Sequence, residues 1–280
     1  MPRLVVAVFA QGSMGAGLAG RLTRHGAQVL TCLDGRSASS RARAAEAGMV
    51  DAPLSALADA DIILSITPPA EALAFARSLA PALTAPARPP VFADCNAISP
   101  ETVRQAAHVV TATGAPFVDA SIIGLPPGPD DEGPVIYASG PDAARLLPLG
   151  DHGLRIKLLE GPVGAASALK MSYAGITKGF AAIMSMMTLA AARSGAAEAL
   201  RAELAISQPG FLKTYGRQTQ GMFPKAYRWV AEMQEIADFA SGDPEARAIY
   251  EAVSRFYGRL AEDYEGEQAE TGILGGFGRG

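Results

Sequence analysis

The chain opens with an apolar run at residues 4–10 (LVVAVFA). It breaks into Gln11-Gly12-Ser13-Met14-Gly15 and continues with helical spacing over residues 15–25, Leu18 and Leu22 on one face. Few sequence features restrict a fold as strongly. A strand that turns sharply into a helix aims the first backbone N–H groups, and the positive end of the helix dipole, at a single spot. Glycine is required where the chain turns and where a ligand comes close.

The alternation continues. Strand-like runs lie at 28–33, 61–66, 91–94, 117–120 and 135–139, and helical patterns at 39–47, 70–79 and 100–108. Short apolar strands alternating with helices predict an α/β Rossmann unit, a doubly wound and mostly parallel sheet, over residues 1–161. The pattern changes at Gly161-Pro162. Residues 164–193 form one proline-free helical stretch, about 45 Å long at 1.5 Å per residue. Further helical segments are predicted at 198–206, 224–240 and 244–264, and no strand pattern returns. Residues 162–265 are therefore expected to form an all-α substrate and dimerisation domain that begins with a long interdomain helix. The glycine-dense end, 266–280, is expected to be a flexible tail, because glycines lose the most entropy on ordering.

Composition removes several function classes. A net charge of -4 and 6% aromatic residues give no electrostatic or stacking reason to expect nucleic acid or an anionic membrane. Cys32 and Cys95 lie in strand-like runs and read as small buried hydrophobes. His25, His108 and His152 lack metal-ligand spacing, so no metal site is expected. The first apolar run is too short for a signal peptide. Apart from the alanine-rich helix, there is no polar-free span long enough to cross a membrane. A cytoplasmic enzyme acting on a small molecule is expected, with no nucleic-acid or membrane partner.

The glycine turn departs from G-x-G-x-x-G at one place, Ala10 standing where the first glycine belongs. Its context supplies the rest. It follows the first strand, opens a helix, and is followed by a second strand ending at Asp34, where a carboxylate meets an adenosine ribose. Gln11, Gly12, Ser13 and Met14 are the candidate phosphate contacts. Asp34 suits NAD. Arg36 and Ser37, with Arg41 and Arg43 nearby, suit the 2′-phosphate of NADP, which is slightly favoured. Thr67 and Pro68, just past the strand at 61–66, complete the cofactor candidates on this side.

These residues resemble the β-hydroxyacid dehydrogenase family, which includes 6-phosphogluconate and 3-hydroxyisobutyrate dehydrogenases. Gly12-Ser13-Met14-Gly15 is similar to the family's G-x-M-G turn, and Asp94-Cys-Asn-Ala-Ile-Ser-Pro100 to its D-x-S-T-x-x-P segment. Asp119-Ala-Ser-Ile-Ile-Gly124 is similar to its substrate motif D-A-P-V-S-G. Gly161-Pro-Val-Gly164 through Lys170 is similar to its G-x-G-x-x-x-K catalytic helix. Residues from Pro224 to Ile236 look like a phosphogluconate-dehydrogenase-like branch whose C-terminal domain has no settled function. The resemblance implies Asn96 near the nicotinamide and Ser121, Ile122, Ile123 and Gly124 against the substrate. Departures matter: Asn96 and Ala97 replace Ser-Thr, Ile123 replaces a serine, and Ala174 replaces an asparagine. Such a lining argues against a hydrophilic sugar acid and for a bulkier, more apolar substrate.

Lys170 and Lys178 are the only charged residues between Ala165 and Ala192. A helix apolar on all faces is normally buried, and burial moves a lysine's pKa down toward the range of general acid–base work. Lys170 is expected to pass the substrate proton. Tyr173 is a second catalytic candidate and Thr177 a substrate contact, both within about 60° of Lys170 on the helix face. Lys178 reads instead as a snorkelling side chain. No tyrosine has a lysine four residues on, which disfavours a Y-x-x-x-K dehydrogenase. Arg228 and Trp229 are further substrate candidates, although Arg228 and Glu232 at i, i+4 also read as a surface ion pair. The loop 125–134 reads as a solvated connection or a lid. The expected function is NAD(P)-dependent hydride transfer with a β-hydroxy acid or related alcohol or ketone, in a homodimer through the helical domain. The alternatives are an imine reductase on the same scaffold and a non-catalytic NAD(P)-binding protein.

Overall fold

The computed structural model describes residues 3–128 and 131–279, the side chain of Gln220 excepted. The chain divides into two compact units, Met1–Lys170 and Met171–Gly280.

The first unit is built on an eight-stranded sheet. Its strands are β1 (Val5–Phe9), β2 (Gln28–Thr31), β3 (Val50–Asp51), β4 (Ile62–Ser65), β5 (Val91–Asp94), β6 (Phe117–Ile123), β7 (Val135–Ser139) and β8 (Arg155–Leu158). Their order in the sheet is β3-β2-β1-β4-β5-β6-β7-β8. All neighbours run parallel except β6 and β7. Helices α1 (Ser13–Arg24), α2 (Ala38–Glu46), α3 (Ala72–Leu83) and α4 (Pro100–Thr111) form the crossovers. The expected doubly wound, mostly parallel sheet is what forms.

Period-two alternation divides each strand between two cores. Val6, Val8, Val29 and Leu64 pack with Leu18 and Leu22 of α1. Ala7, Ile63, Phe92 and Phe117 face the other way, against Leu79 of α3 and Val103 and Val110 of α4. Cys32 and Cys95 are free thiols buried in these layers. Sequence patterning does not reveal β3, of two residues, or β8, whose Arg-Ile-Lys-Leu alternates with polar residues on an exposed edge.

The second unit is helical: the remainder of α5 (Ala165–Arg193), then α6 (Ala197–Ser207), α7 (Pro209–Met222), α8 (Ala226–Phe239), α9 (Pro244–Glu265) and α10 (Ala269–Arg279). Three expectations change here. The first turns of α5 belong with the sheet unit, so the division comes later than 161/162. Helix α7 is unforeseen. Its Gly210, Gly216 and Gly221 weaken the local pattern, and tertiary contacts hold it, Tyr215 being wholly buried and hydrogen-bonded to Ser185 at 3.0 Å. The glycine-dense end is helix α10 rather than a mobile tail through residue 279. It buries Thr271, Leu274 and Phe277, and Phe277 packs edge-on to Tyr215. Gly278 leaves no room for a Cβ beside Thr219, so small residues there permit close helix packing.

Helix α5 is long and apolar enough, by length and composition, to cross a membrane. It buries Ala181, Ala182, Ser185, Thr188 and Leu189. It is not buried all round, however. Tyr173, Ile176, Ile183 and Met187 are exposed along a stripe at near-heptad spacing.

Candidate active site

The turn after β1 gives its two glycines different tasks. Gly12 is the N-cap of α1, in extended conformation, and no side chain caps that end. A Cβ placed on Gly12 meets nothing within 4 Å. The space over the helix N-terminus is open, which suits a pyrophosphate. A Cβ on Gly15 would collide with the carbonyl oxygen of Ala10, so this glycine serves helix–strand packing. Ser13 is exposed and Met14 half-buried against the core. Gln11 departs from the expected cofactor contact. Its side chain is buried and donates to the hydroxyl of Thr31 and, at 2.9 Å, to the carbonyl of Cys32. It ties β1 to β2, and only its backbone faces outward to accept from Arg43 Nε at 2.9 Å.

At the end of β2, Asp34 is exposed. The Arg36 guanidinium lies over the Phe9 ring, 4.6 Å from its centroid. Stacking fixes the guanidinium plane and leaves its N–H edge available for a planar anion. Ser37 caps α2, accepting the N–H of Ser40 at 3.3 Å, and its hydroxyl meets those of Ser39 and Ser40. Arg43 reaches Ser40 at 3.1 Å, whereas Arg41 is committed to the carbonyl of Leu33 at 2.6 Å.

Across the carboxyl edge of the sheet, Ser65, Asp94, Asp119 and Ser139 stand abreast on β4, β5, β6 and β7. Paired residues project to the same face, so four polar side chains share one buried row. Asp119 is fully engaged. It accepts the hydroxyl of Ser139 at 2.9 Å, the N–H groups of Gly164, Ala166 and Ser167 at 2.8, 3.0 and 3.2 Å, and the hydroxyl of Ser167 at 2.7 Å. This carboxylate caps α5 from a neighbouring strand and favours the positive end of its dipole. Gly164, at φ +107, makes the left-handed turn that brings its N–H onto the carboxylate.

Lys170 follows in the next turn of α5, half-buried, and its charge acts on Asp94 and Cys95. Asp94 accepts the N–H of Asn96 at 3.0 Å through one oxygen. Its other oxygen is buried and has no hydrogen-bond partner. Burial pushes its carboxyl up to about 6, the Asn96 N–H partly opposing this. Burial also pushes the Cys95 thiol far up, so it stays neutral. Asn96 is a brace: its amide oxygen accepts the N–H of Thr67 at 2.6 Å and the hydroxyl of Thr67 at 3.2 Å. Its amide nitrogen donates to Ser65 at 3.0 Å. These bonds hold the loops after β4 and β5 together, with Pro68 exposed beside them. Ser121 is buried with an unpartnered hydroxyl, Ile122 is buried and Ile123 half-buried. Gly124 takes φ +134, where a side chain would be strained.

The loop after Gly124 is tied to α1. Buried Arg21 donates to the carbonyls of Gly128 and Asp131 at 2.9 and 2.7 Å and to the Asp131 carboxylate at 2.9 Å. The part of the expected loop 125–134 at Pro129 and Asp130 lies outside the described residues.

In the helical unit Tyr173 is exposed, and the Thr177 hydroxyl donates to the Tyr173 carbonyl at 2.9 Å within α5. Arg228 is exposed and does not take Glu232 as its partner. Glu232 pairs instead with Lys178, which is mostly buried and so does not snorkel freely. Lys178 also lies over Trp229, 4.8 Å from its ring centroid, and Trp229 meets Tyr257 edge-on at 5.0 Å. Among the described residues no group of three or more His, Cys, Asp or Glu could hold a metal ion.

The sequence matches the model of the NAD binding domain of 6-phosphogluconate dehydrogenase over residues 5–146. The chain belongs to that family. A second match, over residues 191–260, is to a domain of unknown function, DUF1932. No curated protein matches significantly. Among solved structures, this family member is 29% identical to the conserved protein MTH1747, itself of unknown function and described as similar to 3-hydroxyacid dehydrogenases. That match covers 94% of this chain and 98% of the other, with a TM-score of 0.72. It shares its fold with 3-hydroxyisobutyrate dehydrogenase of Mycobacterium tuberculosis, solved with L-serine (17% identity, 98% of each chain, TM-score 0.73). It also shares it with the imine reductase of Myxococcus stipitatus, solved with NADP+ (18% identity, 99% of each chain, TM-score 0.61). The family member thus has an NAD(P)-binding, 3-hydroxyacid-dehydrogenase-like fold.

Ser139 on β7 and Ser167 on α5 carry no signal in the sequence beyond being serines. Asp119 and Asp94 carry one: each is a lone acid in an apolar strand run, where burial without a partner is costly.

Proposed function

We propose that this protein is an NAD(P)-dependent oxidoreductase of β-hydroxy acids or related alcohols and ketones, with Lys170 as the proton carrier. The observation that supports it best is the capping of α5 by Asp119. That bond set anchors the start of α5, a turn before Lys170, at the carboxyl edge of the sheet on which the open Gly12 turn lies, and ligands of open α/β sheets bind along that edge. Backbone N–H groups of Gly12, Ser13 and Met14 would hold the pyrophosphate. Asp34, Arg36 and Ser37 would hold the adenosine ribose or its 2′-phosphate, and the guanidinium–hydroxyl cluster favours NADP. When bound, the nicotinamide takes or supplies the hydride at the substrate carbon. Neutral Lys170 takes the proton from the substrate hydroxyl; in the reverse direction its ammonium returns a proton to the carbonyl oxygen. Tyr173 and Thr177 follow Lys170 on the same helix and would orient the substrate.

A parallel assay of β-hydroxy acids and cyclic imines with NADPH and NADH tests this reading, using wild type and Lys170→Met. Turnover of a hydroxy acid that falls by at least about 10²-fold in the variant, with cofactor binding retained, supports it. Unchanged turnover sinks the role of Lys170.

The second reading is an imine reductase. It is favoured by the apolar Ala97, Ile123 and Ala174 in place of polar substrate contacts, and reduction of an imine but no hydroxy-acid oxidation would select it. Cofactor binding without any turnover would leave a non-catalytic NAD(P)-binding protein. The exposed stripe Tyr173, Ile176, Ile183 and Met187 supports a homodimer through α5. A monomer by light scattering at micromolar concentration would contradict that.

A further inference from the structure

We propose that Asp94 is a positioning residue for Lys170, its buried, unpartnered carboxylate oxygen setting the charge state of the lysine. This rests on the reading of Lys170 as proton carrier, and it gives a task to a group for which packing has none.

Three observations converge on it. Asp94 lies in register with Asp119 at the carboxyl edge, on the adjacent strand. Asp119 spends both oxygens on Ser139 and the start of α5. Asp94 spends one oxygen on the N–H of Asn96, and its second oxygen is sealed from solvent without a hydrogen bond. A buried carboxylate left half-satisfied costs stability, so a merely structural acid would be better as an amide or a hydroxyl. The charged groups that act on Asp94 are Asp119 on β6, which opposes its ionisation, and Lys170 on α5, which favours it. The neighbouring Cys95 thiol is held neutral by burial. Lys170 is thus a cation whose charge favours the ionised form of Asp94, and the two carboxyls divide the work. Asp119 fixes where the lysine stands, and Asp94 holds its proton until the substrate takes it.

The lysine can be read directly, without any substrate. The chain contains five lysines, at 157, 170, 178, 213 and 225. Each can be followed by NMR in the full-length protein grown with lysine labelled with ¹³C at Cε, and assigned by single Lys→Arg variants. In Asp94→Asn the titration midpoint of Lys170 is expected to fall by about one pH unit, with Lys157 and Lys213 unmoved. An unchanged Lys170 midpoint in folded Asp94→Asn protein overturns the proposal. If that variant does not fold, wild type decides. Its Lys170 signal should show a second inflection near pH 6 as Asp94 ionises, and a single smooth titration overturns the proposal. Neither result depends on catalysis. A coupled Lys170 that proves dispensable for turnover would sink the proton-carrier reading and leave the Asp94–Lys170 pair standing.

Discussion

Asp119 and Ser167 are joined twice: the carboxylate accepts the Ser167 hydroxyl at 2.7 Å and its backbone N–H at 3.2 Å, across 48 residues of chain. The pair fastens a helix to a strand that sequence does not place beside it. Asp119→Ala should strip α5 of its carboxylate cap and leave the Ser139 and Ser167 hydroxyl protons buried without their acceptor. A loss of about 3 kcal/mol or more is expected in urea unfolding. Ser167→Ala should cost about 1 kcal/mol, since three backbone N–H groups and Ser139 still hold the carboxylate. Equal, small effects of the two would mean that the cap contributes little.

The two glycines of the first turn should part company on substitution. Gly12→Ala places a methyl in open space with an ordinary backbone conformation. It should unfold at the wild-type temperature yet bind NADPH at least about tenfold more weakly, because the methyl takes the room of the pyrophosphate. Gly15→Ala collides with the Ala10 carbonyl and should destabilise the fold by about 2 kcal/mol or more. Calorimetry and cofactor fluorescence together distinguish them.

Cofactor choice should follow the cluster after β2. Arg36→Ala removes the guanidinium stacked on Phe9 and should weaken NADPH by about tenfold or more while leaving NADH within about twofold. If NADH already binds tenfold more tightly than NADPH to wild type, the preference for NADP is wrong.

Asp94 should also leave a mark on stability. Its carboxyl is raised from 3.8 to about 6 in the fold, so the native state binds its proton more tightly than the unfolded chain does. Its contribution is therefore fully present below about pH 4 and is lost as pH rises through 6, about 3 kcal/mol in all. The stability of wild type relative to Asp94→Asn should decline across that window in urea melts at stepped pH. A flat difference would mean that the carboxyl is not perturbed.

In the helical unit, removing one partner of the Lys178–Glu232 pair should be worse than removing both. Glu232→Gln leaves a mostly buried ammonium whose pKa burial already pulls down, and a cost of about 2–4 kcal/mol at pH 7 is expected. The double variant Lys178→Met, Glu232→Leu should recover most of it. Thermal melts of the three variants make the comparison.

What the sequence determined by itself is whatever local pattern encodes. Apolar runs at period two and helical faces at 3.6 set the doubly wound sheet, and the strand–glycine–helix turn set the cofactor edge. Lys170 and Lys178 stand out as well, as the two charges in an otherwise apolar helical stretch. Only tertiary structure decided the partners. Gln11 sits in the cofactor turn but points into the fold, since Thr31 and Cys32 lie beside it on the neighbouring strand. Glu232 leaves Arg228 for Lys178, because burial makes that lysine's need for a counter-charge greater. The glycine-rich end becomes α10 because Leu274 and Phe277 find a surface to bury, which offsets an ordering entropy that local pattern alone counts against it. The opening turn thus came from sequence. The row Ser65, Asp94, Asp119 and Ser139 came from strand register, a relation between residues far apart in the chain.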